Sequence, residues 1–230
     1  MRHSHLVCLL LVATVLSACG PTMTNKIAEF PHMYDDRRPL SILILPPINK
    51  TTASDAKELY STTTAVPITE HGYYFFPPAV VFDLMKQDGI FDTELLKDVP
   101  PQTFKQKFGA DAILLVEITD WTTSYVILSG SVTVGIDMTL RSTSTGEDIW
   151  KRKIVEKVDT SGGNNSSGGI AGLVVKLAVA AAQTASTDYV PIARMANAKA
   201  IGGMPYGKYH PLFDKDRTDQ ITTPSAQKRE

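Results

Sequence analysis

Hydrophobic and polar positions along this chain follow three rhythms. From Asp111 to Val158 the period is two. Val132, Val134, Ile136, Met138 and Leu140 alternate with Thr133, Gly135, Asp137, Thr139 and Arg141. Successive strand residues face opposite sides, so this pattern predicts a strand with one buried face. Asp111 to Tyr125 and Ile149 to Val158 are its predicted neighbours. Ser129-Gly130-Ser131 and the turn Ser142 to Asp148, which holds Gly146, join them into an antiparallel meander of three strands. Ser41-Ile42-Leu43-Ile44-Leu45 is instead a continuous apolar run, the pattern of a strand buried on both faces. Pro46-Pro47 ends it, because proline cannot donate to the ladder.

The third rhythm is helical. Pro78 to Gln87 carries Val80, Val81, Leu84 and Met85 on one stripe, with proline in its first turn and Gly89 past its end. Pro101 to Phe108 spaces Phe104 and Phe108 four apart, ahead of Gly109. Asp55 to Tyr60 reads as a helix with Ser54 as N-cap, and Tyr189 to Ala200 as another with Pro191 early. Ile170 to about Ala185 is rich in alanine and apolar nearly all round except at Lys176, which predicts a buried helix. Its rise of about 24 Å falls short of a hydrocarbon core of roughly 30 Å, so it is not read as a membrane span. Its surplus face of Val175, Val179 and Ala182 is expected to meet a second copy of the chain, since two-fold dimers dominate soluble assemblies. Filling the monomer's own core is the equal alternative. Strands and helices together predict an α/β (α+β) domain with helices packed on a mixed sheet.

Between these elements lies His71-Gly72-Tyr73-Tyr74-Phe75-Phe76-Pro77-Pro78, the densest aromatic cluster. Alternate rings are expected to enter the core from a strand that delivers the next helix. Tyr73, Tyr74, Phe75 and Phe76 form the candidate partner surface, at least one pair being left outside, where aromatic groups favour protein contacts.

The ends read differently. Leu16-Ser17-Ala18-Cys19 has the form of a lipobox, preceded by Arg2 and an apolar run from Leu6 to Leu16. That is the order of a secretory signal, with an h-region of roughly 7–15 residues and small residues at the cleavage site. Residues 1–18 are therefore the expected signal peptide, and Cys19 the expected site of lipidation. Residues 19–39 are polar, proline-bearing and aperiodic, and read as a tether. Residues 40–213 form a single domain containing a flexible loop at Thr160 to Gly169. Residues 214–230 read as a mobile polar tail.

Composition narrows the function. The chain has 230 residues, 43% hydrophobic and 20% charged, as a globular protein does. A net charge of −1 leaves no basic excess for phosphates, so nucleic acid is not an expected partner. Of the two cysteines, Cys8 lies in the signal and Cys19 carries the lipid, which leaves no disulfide and no thiol nucleophile. His32, His71 and His210 stand in no ligand spacing, and the common catalytic and phosphate-binding motifs are missing. Asp111, Glu117, Asp120 and Asp137 read as strand-end and solvent-face residues. No catalytic residue, metal ligand or cofactor is assigned.

Three stretches carry a family likeness: Pro46-Pro47-Ile48-Asn49-Lys50, Gly72-Tyr73-Tyr74-Phe75-Phe76-Pro77 and Gly109-Ala110-Asp111-Ala112-Ile113-Leu114. Together, across roughly Pro39 to Pro211, they resemble a family of bacterial lipoproteins of unknown function typified by a meningococcal genome-derived antigen. Genes of that family often stand beside one for a CsgG-like lipoprotein, which implies a shared envelope task. More distantly, Gly109 to Leu114 followed by Leu140 to Trp150 is similar to the meander of CsgG, of LpoB and of the TolB N-terminal domain. That likeness implies a fold and no catalytic residues. The resulting expectation is a non-enzymatic lipoprotein, an accessory or adaptor subunit of an envelope transport or assembly complex. A regulator of peptidoglycan synthesis that binds a penicillin-binding protein is the alternative. Gly20, where a retention signal would need aspartate, points to the outer membrane, facing the periplasm. The expected partners are the membrane, through Cys19, other envelope proteins including a CsgG-like lipoprotein, and a second copy of the chain.

Overall fold

The computed structural model describes residues 22–35, 37–90, 93–126, 129–159 and 188–223. In chain order its strands and α-helices are β1 (Thr22–Asn25), α1 (Lys26–Glu29), β2 (Ser41–Ile44), β3 (Ile48–Asn49), α2 (Ala56–Ser61), α3 (Ala65–Glu70), β4 (Tyr74–Phe76), α4 (Pro78–Gln87), α5 (Pro101–Phe108), β5 (Ala112–Val126), β6 (Ser129–Ser142), β7 (Asp148–Asp159), α6 (Val190–Gly202) and β8 (Gln220–Thr223). Short 3-10 turns occupy Pro31–Met33 and Thr93–Asp98.

The apolar run at β2 lies inside a six-stranded sheet of order β4-β2-β5-β6-β7, with β3 beside β5. Strands β4 and β5 flank β2 in parallel, and β6 and β7 continue antiparallel. The sheet is therefore mixed, and the fold is the expected α/β type. Because β2 is buried on both faces, its side chains serve two cores. Ile42 and Ile44 join Tyr60, Ile68 and the buried face of α6, while Leu43 and Leu45 join Val81, Met85, Leu96 and Phe104. The meander has one buried face, as its period of two requires: Val132, Val134, Ile136, Met138 and Leu140 are all buried.

Each face has its own connection. From β2 the chain passes through α2 and α3, which pack on the larger core, and returns as β4. From β4 it passes through α4 and α5, which pack on the smaller core, and returns as β5. Gly109 ends α5 in the left-handed region at φ 72°, a conformation glycine adopts without steric cost.

Several expectations change. The segment read as a tether is part of the fold from Thr22 onward. There β1 pairs antiparallel with β8, from Thr22 opposite Thr223 to Asn25 opposite Gln220, and Phe30 and Met33 are buried. The start of the tail is held by the same pairing. Each strand is too short and polar to announce itself, and each exists because the other is there. Asp55, not Ser54, stands at the N-cap of α2, without a capping side-chain bond. On α4 only Val81 and Met85 are buried, whereas Val80 is 55% and Leu84 37% exposed, so the buried stripe is narrower than the apolar one. Helix α3 and the turn at Thr93–Asp98 carry no clear period and were not expected. The predicted helix Ile170 to Ala185, the loop before it, and Cys19 with its signal lie outside the described residues. Among the described residues no helix is long and apolar enough to cross a membrane.

Candidate functional site

Strand β4 forms one edge of the sheet and pairs with β2 alone. Alternation along it separates the four candidate aromatic residues. Tyr73 is 2% exposed, and its phenol donates to the Pro205 carbonyl at 2.6 Å. Burial raises its pKa well above the ordinary tyrosine value. A buried phenol needs such an acceptor, so Tyr73 belongs to the interior and leaves the candidate surface. Phe75 packs on the larger core and Phe76 on the smaller. Tyr74 is 55% exposed. It stands edge-on to Phe76 at 5.4 Å between ring centroids, and Phe76 edge-on to Phe108 at 6.4 Å. The result is an aromatic row anchored in the core, with Tyr74 as its open end.

Beyond the C-terminal end of β2, the chain leaves through Pro46-Pro47 and opens a cleft of about 320 Å³. Residues of α2 and α4 line it, together with Ile90 and Leu96. The topology creates this space. The connection after β2 goes to one face of the sheet and the connection after β4 to the other, so the two part at the strand ends. In open α/β sheets such a parting is the usual place for a ligand. Glu94 stands nearby, 3.2 Å from Lys50 Nζ and 3.7 Å from Lys57 Nζ.

A third constellation ties the ends of the chain to the domain. Lys26 Nζ lies 3.0 Å from Asp216 Oδ2, donates to the Met204 carbonyl at 3.2 Å and sits 4.6 Å above the Tyr206 ring. Tyr206 stacks on His210 at 3.8 Å with 3° between planes, and His71 lies 5.1 Å from Tyr206 on centroids. Sequence spacing holds His71 and His210 apart, whereas the fold puts their rings 6.5 Å apart on centroids. The signal for this meeting is a pair of glycines. Gly207 donates its amide to the His71 carbonyl, and a Cβ on Gly207 would lie 2.3 Å from the Gly72 carbonyl oxygen.

Three of the four acidic residues singled out at the sheet have defined side-chain partners. Asp111 accepts from the amides of Leu40 and Ser41 and the Ser41 hydroxyl, at 3.0–3.1 Å, and from Lys105 at 2.6 Å. Burial alone would raise its pKa, but Lys105 and these donors prevail and hold it below the ordinary carboxylate range. Its task is to fix the start of β2. Glu117 and Asp137 stand opposite one another on β5 and β6, and Lys153 lies 3.3 Å from Asp137. Asp120 accepts from the Thr122 hydroxyl at 2.7 Å. Among the described residues, no group of three or more histidine, cysteine, aspartate or glutamate side chains could hold a metal ion.

A mixed sheet with helices on both faces defines the class as an α/β domain. The chain belongs to the family described as "Putative lipoprotein GNA1162-like", whose family model matches residues 32–207. It is 33% identical over 174 residues to "Putative lipoprotein NMB1124/NMB1162" of Neisseria meningitidis serogroup B, covering 75% of this chain and 78% of that one. The crystal structure of lipoprotein GNA1162 from Neisseria meningitidis is similar at 34% identity and a TM-score of 0.53, covering 62% of this chain and 96% of the other. The LpoB C-terminal domain from Salmonella enterica shows a fainter likeness, with 16% identity, a TM-score of 0.35 and coverage of 57% and 98%. A likeness of that size carries no argument. The family resemblance read from Pro46-Pro47, Gly72 to Pro77 and Gly109 to Leu114 thus holds.

Proposed function

We propose that this chain is a non-enzymatic accessory or adaptor subunit of an envelope transport or assembly complex, anchored to the outer membrane through lipidated Cys19 and facing the periplasm. Membership of a lipoprotein family supports the anchoring. The observation that carries the adaptor role is the Tyr74–Phe76–Phe108 row, with its open end on an edge strand. Aromatic side chains held rigidly at a surface make good anchors for a protein partner, because little conformational entropy is lost on binding. A photo-reactive residue in place of Tyr74, activated in intact cells, is expected to give one discrete adduct with an envelope protein, a CsgG-like lipoprotein being the first candidate. The same residue in place of Val155, exposed on the opposite edge strand, is the control. Equal patterns from both positions would defeat the adaptor reading.

The placement has its own test. One acyl chain anchors only marginally, and stable anchoring takes a second signal. Cys19→Ala is expected to leave the protein unprocessed or soluble. Recovery of the wild-type protein in the inner-membrane fraction would overturn the outer-membrane assignment. Self-association through Val175, Val179 and Ala182 belongs to the same proposal. Light scattering is expected to report a dimer that Val175→Glu with Val179→Glu splits while circular dichroism is unchanged. A strict monomer at tens of micromolar would end it.

A further inference from the structure

Strand β1 starts at Thr22, three residues after Cys19. A fully extended chain gains at most roughly 3.3–3.6 Å per residue, so Thr22 lies within about 11 Å of Cys19. Acyl chains on that cysteine would hold it at the edge of the hydrocarbon core, under a headgroup layer of about 5–7 Å. The pairing of Thr22 with Thr223 is then kept at the headgroups or just above them. The ribbon of β1 and β8 is in turn fixed to the domain. Ile221 is buried in the larger core, and Arg152 of β7 donates to the Thr222 carbonyl at 2.8 Å. The amides of Lys26 and Ile27 bond to the carbonyls of Asp219 and Arg217. A domain fixed to its first strand in this way takes its orientation from that strand.

The register sorts the side chains of the ribbon. Ile221, opposite Thr24, is 7% exposed and faces the domain. Met23 opposite Thr222 and Asn25 opposite Gln220 therefore face outward, and Met23 is 53% exposed. None of these four side chains is charged, and they bond to one another. Gln220 Nε2 donates to Asn25 Oδ1 at 3.0 Å, and the Thr222 hydroxyl donates to the Met23 sulfur at 3.4 Å. Polar groups that already have partners lose less when water is withdrawn, and an exposed methionine gains. Exposed Asp219 precedes β8 and Arg217 is paired with Asp214, so no excess of positive charge draws this face to lipid. The acyl chains supply the affinity, and the face has only to suit the interface.

We infer that the outer face of the β1–β8 ribbon lies flat on the phospholipid headgroups, with Met23 reaching toward the acyl chains, so that the domain is mounted directly on the membrane surface. This inference rests on the lipidation of Cys19 proposed above and not on the adaptor role, since the aromatic row on β4 is not part of this face.

The test uses the full lipidated chain in vesicles of phosphatidylethanolamine and phosphatidylglycerol, some of the lipid carrying a nitroxide near the start of an acyl chain. Cys8 leaves with the signal and Cys19 is blocked by lipid, so an introduced cysteine takes a fluorophore at one place. Probes at Met23→Cys and Gln220→Cys are expected to be quenched several-fold more than one at Leu95→Cys. Leu95 is 59% exposed, and its neighbour Leu96 belongs to the smaller core on the opposite face of the sheet. A Gly/Ser insertion of about twenty residues after Pro21, with an r.m.s. length of about 25 Å, should bring Met23 down to the level of Leu95 while circular dichroism is unchanged. Mass spectrometry of the N-terminal peptide reads the lipid separately. A chain without acyl mass would overturn the lipidation and this inference with it. An acylated chain in which Met23 is quenched no more than Leu95 would overturn this inference alone. So would quenching at Met23 without quenching at Gln220, which marks an upright ribbon, or quenching that the insertion leaves unchanged.

Discussion

Lys26 and Asp216 form an ion pair of 3.0 Å across 190 positions of sequence, with side chains only 4% and 1% exposed. Two charges taken out of water carry a large desolvation cost, repaid only when geometry is good and the remaining bonds are filled. Here they are filled in part: Asp216 Oδ2 also accepts the Tyr206 amide at 3.0 Å and Lys26 also donates to Met204, whereas Asp216 Oδ1 is buried with no hydrogen-bond partner among the described residues. The pair joins the segment that follows the expected lipid anchor to the segment that follows α6.

Removing one partner should therefore cost more than removing both. Asp216→Ala would leave an ammonium buried without its counter-charge, with an expected loss of about 3–5 kcal/mol. Lys26→Met with Asp216→Leu should lose much less than the sum of the single changes. Urea unfolding of the four proteins, read as a double-mutant cycle, measures the difference. Additive losses would show that the pair is not coupled.

His71 stands against this pair and makes the clamp sensitive to acid. Burial pushes its pKa down to about 4, with Lys26 and His210 adding to the effect. In the unfolded chain histidine titrates near 6.5. The unfolded state thus binds the proton first, so this contribution to stability is complete above about pH 6.5 and is lost as pH falls toward 4. Carboxylates held below their ordinary range, Asp111 and Asp148 among them, lose stability over a lower window. Thermal unfolding from pH 7.5 to pH 4 should fall more steeply for the wild type than for His71→Gln. Parallel curves would remove His71 from the acid response.

Gly72 and Gly207 predict a contrast among glycines. A Cβ on Gly207 would meet the Gly72 carbonyl oxygen at 2.3 Å, and one on Gly72, at φ +78°, would meet the His210 amide nitrogen at 2.4 Å. Backbone cannot yield as a side chain does, so Gly207→Ala is expected to cost about 1–3 kcal/mol or more. Gly202 closes α6 with open space around its Cβ position and no positive φ. Gly202→Ala should be neutral or stabilising by up to about 1 kcal/mol, on helix propensity alone. Chemical denaturation of both variants decides it.

What the sequence showed depends on how local each cause is. The meander and α4 were legible because their burial repeats with a fixed period, and β2 because a run of apolar residues before Pro46-Pro47 leaves few alternatives. The pairing of β1 with β8 was not legible, because neither Thr22–Asn25 nor Gln220–Thr223 has a pattern of its own. The same holds for Lys26, His71, Tyr206 and Asp216, which single windows cannot bring together. The aromatic run at Tyr73 to Phe76 was half legible. Alternation predicted that its rings would part, but only the position of Pro205 settles that Tyr73 is inside. The cleft had no sequence signature, since it arises where two connections leave opposite faces of the sheet.

The alternation also contains an interruption that explains a further glycine. On β5, Ile118 pairs with Ile136 and Asp120 with Gly135, which leaves Thr119 unpaired as a bulge. Before it Leu114, Val116 and Ile118 face the core, and after it Trp121 does, stacked on Tyr189 at 4.8 Å. A β-bulge crowds the strand opposite, and here the crowded residue is Gly135: a Cβ there would lie 2.8 Å from both Asp120 Cβ and Thr119 Oγ1. Gly135→Ala is therefore expected to cost about 1–3 kcal/mol in the wild-type chain. Deleting Thr119 would make the ladder regular while keeping Ile118 and Trp121 on the core side, since the residues between them fall from two to one. Directly opposed residues then stand roughly 4.5–5.5 Å apart at Cβ, room enough for alanine. The Thr119 deletion should fold, and Gly135→Ala should cost little within it. Urea unfolding of the wild type, the two single changes and the combination measures the coupling. An equal cost for Gly135→Ala in both backgrounds would show that something other than the bulge requires glycine there.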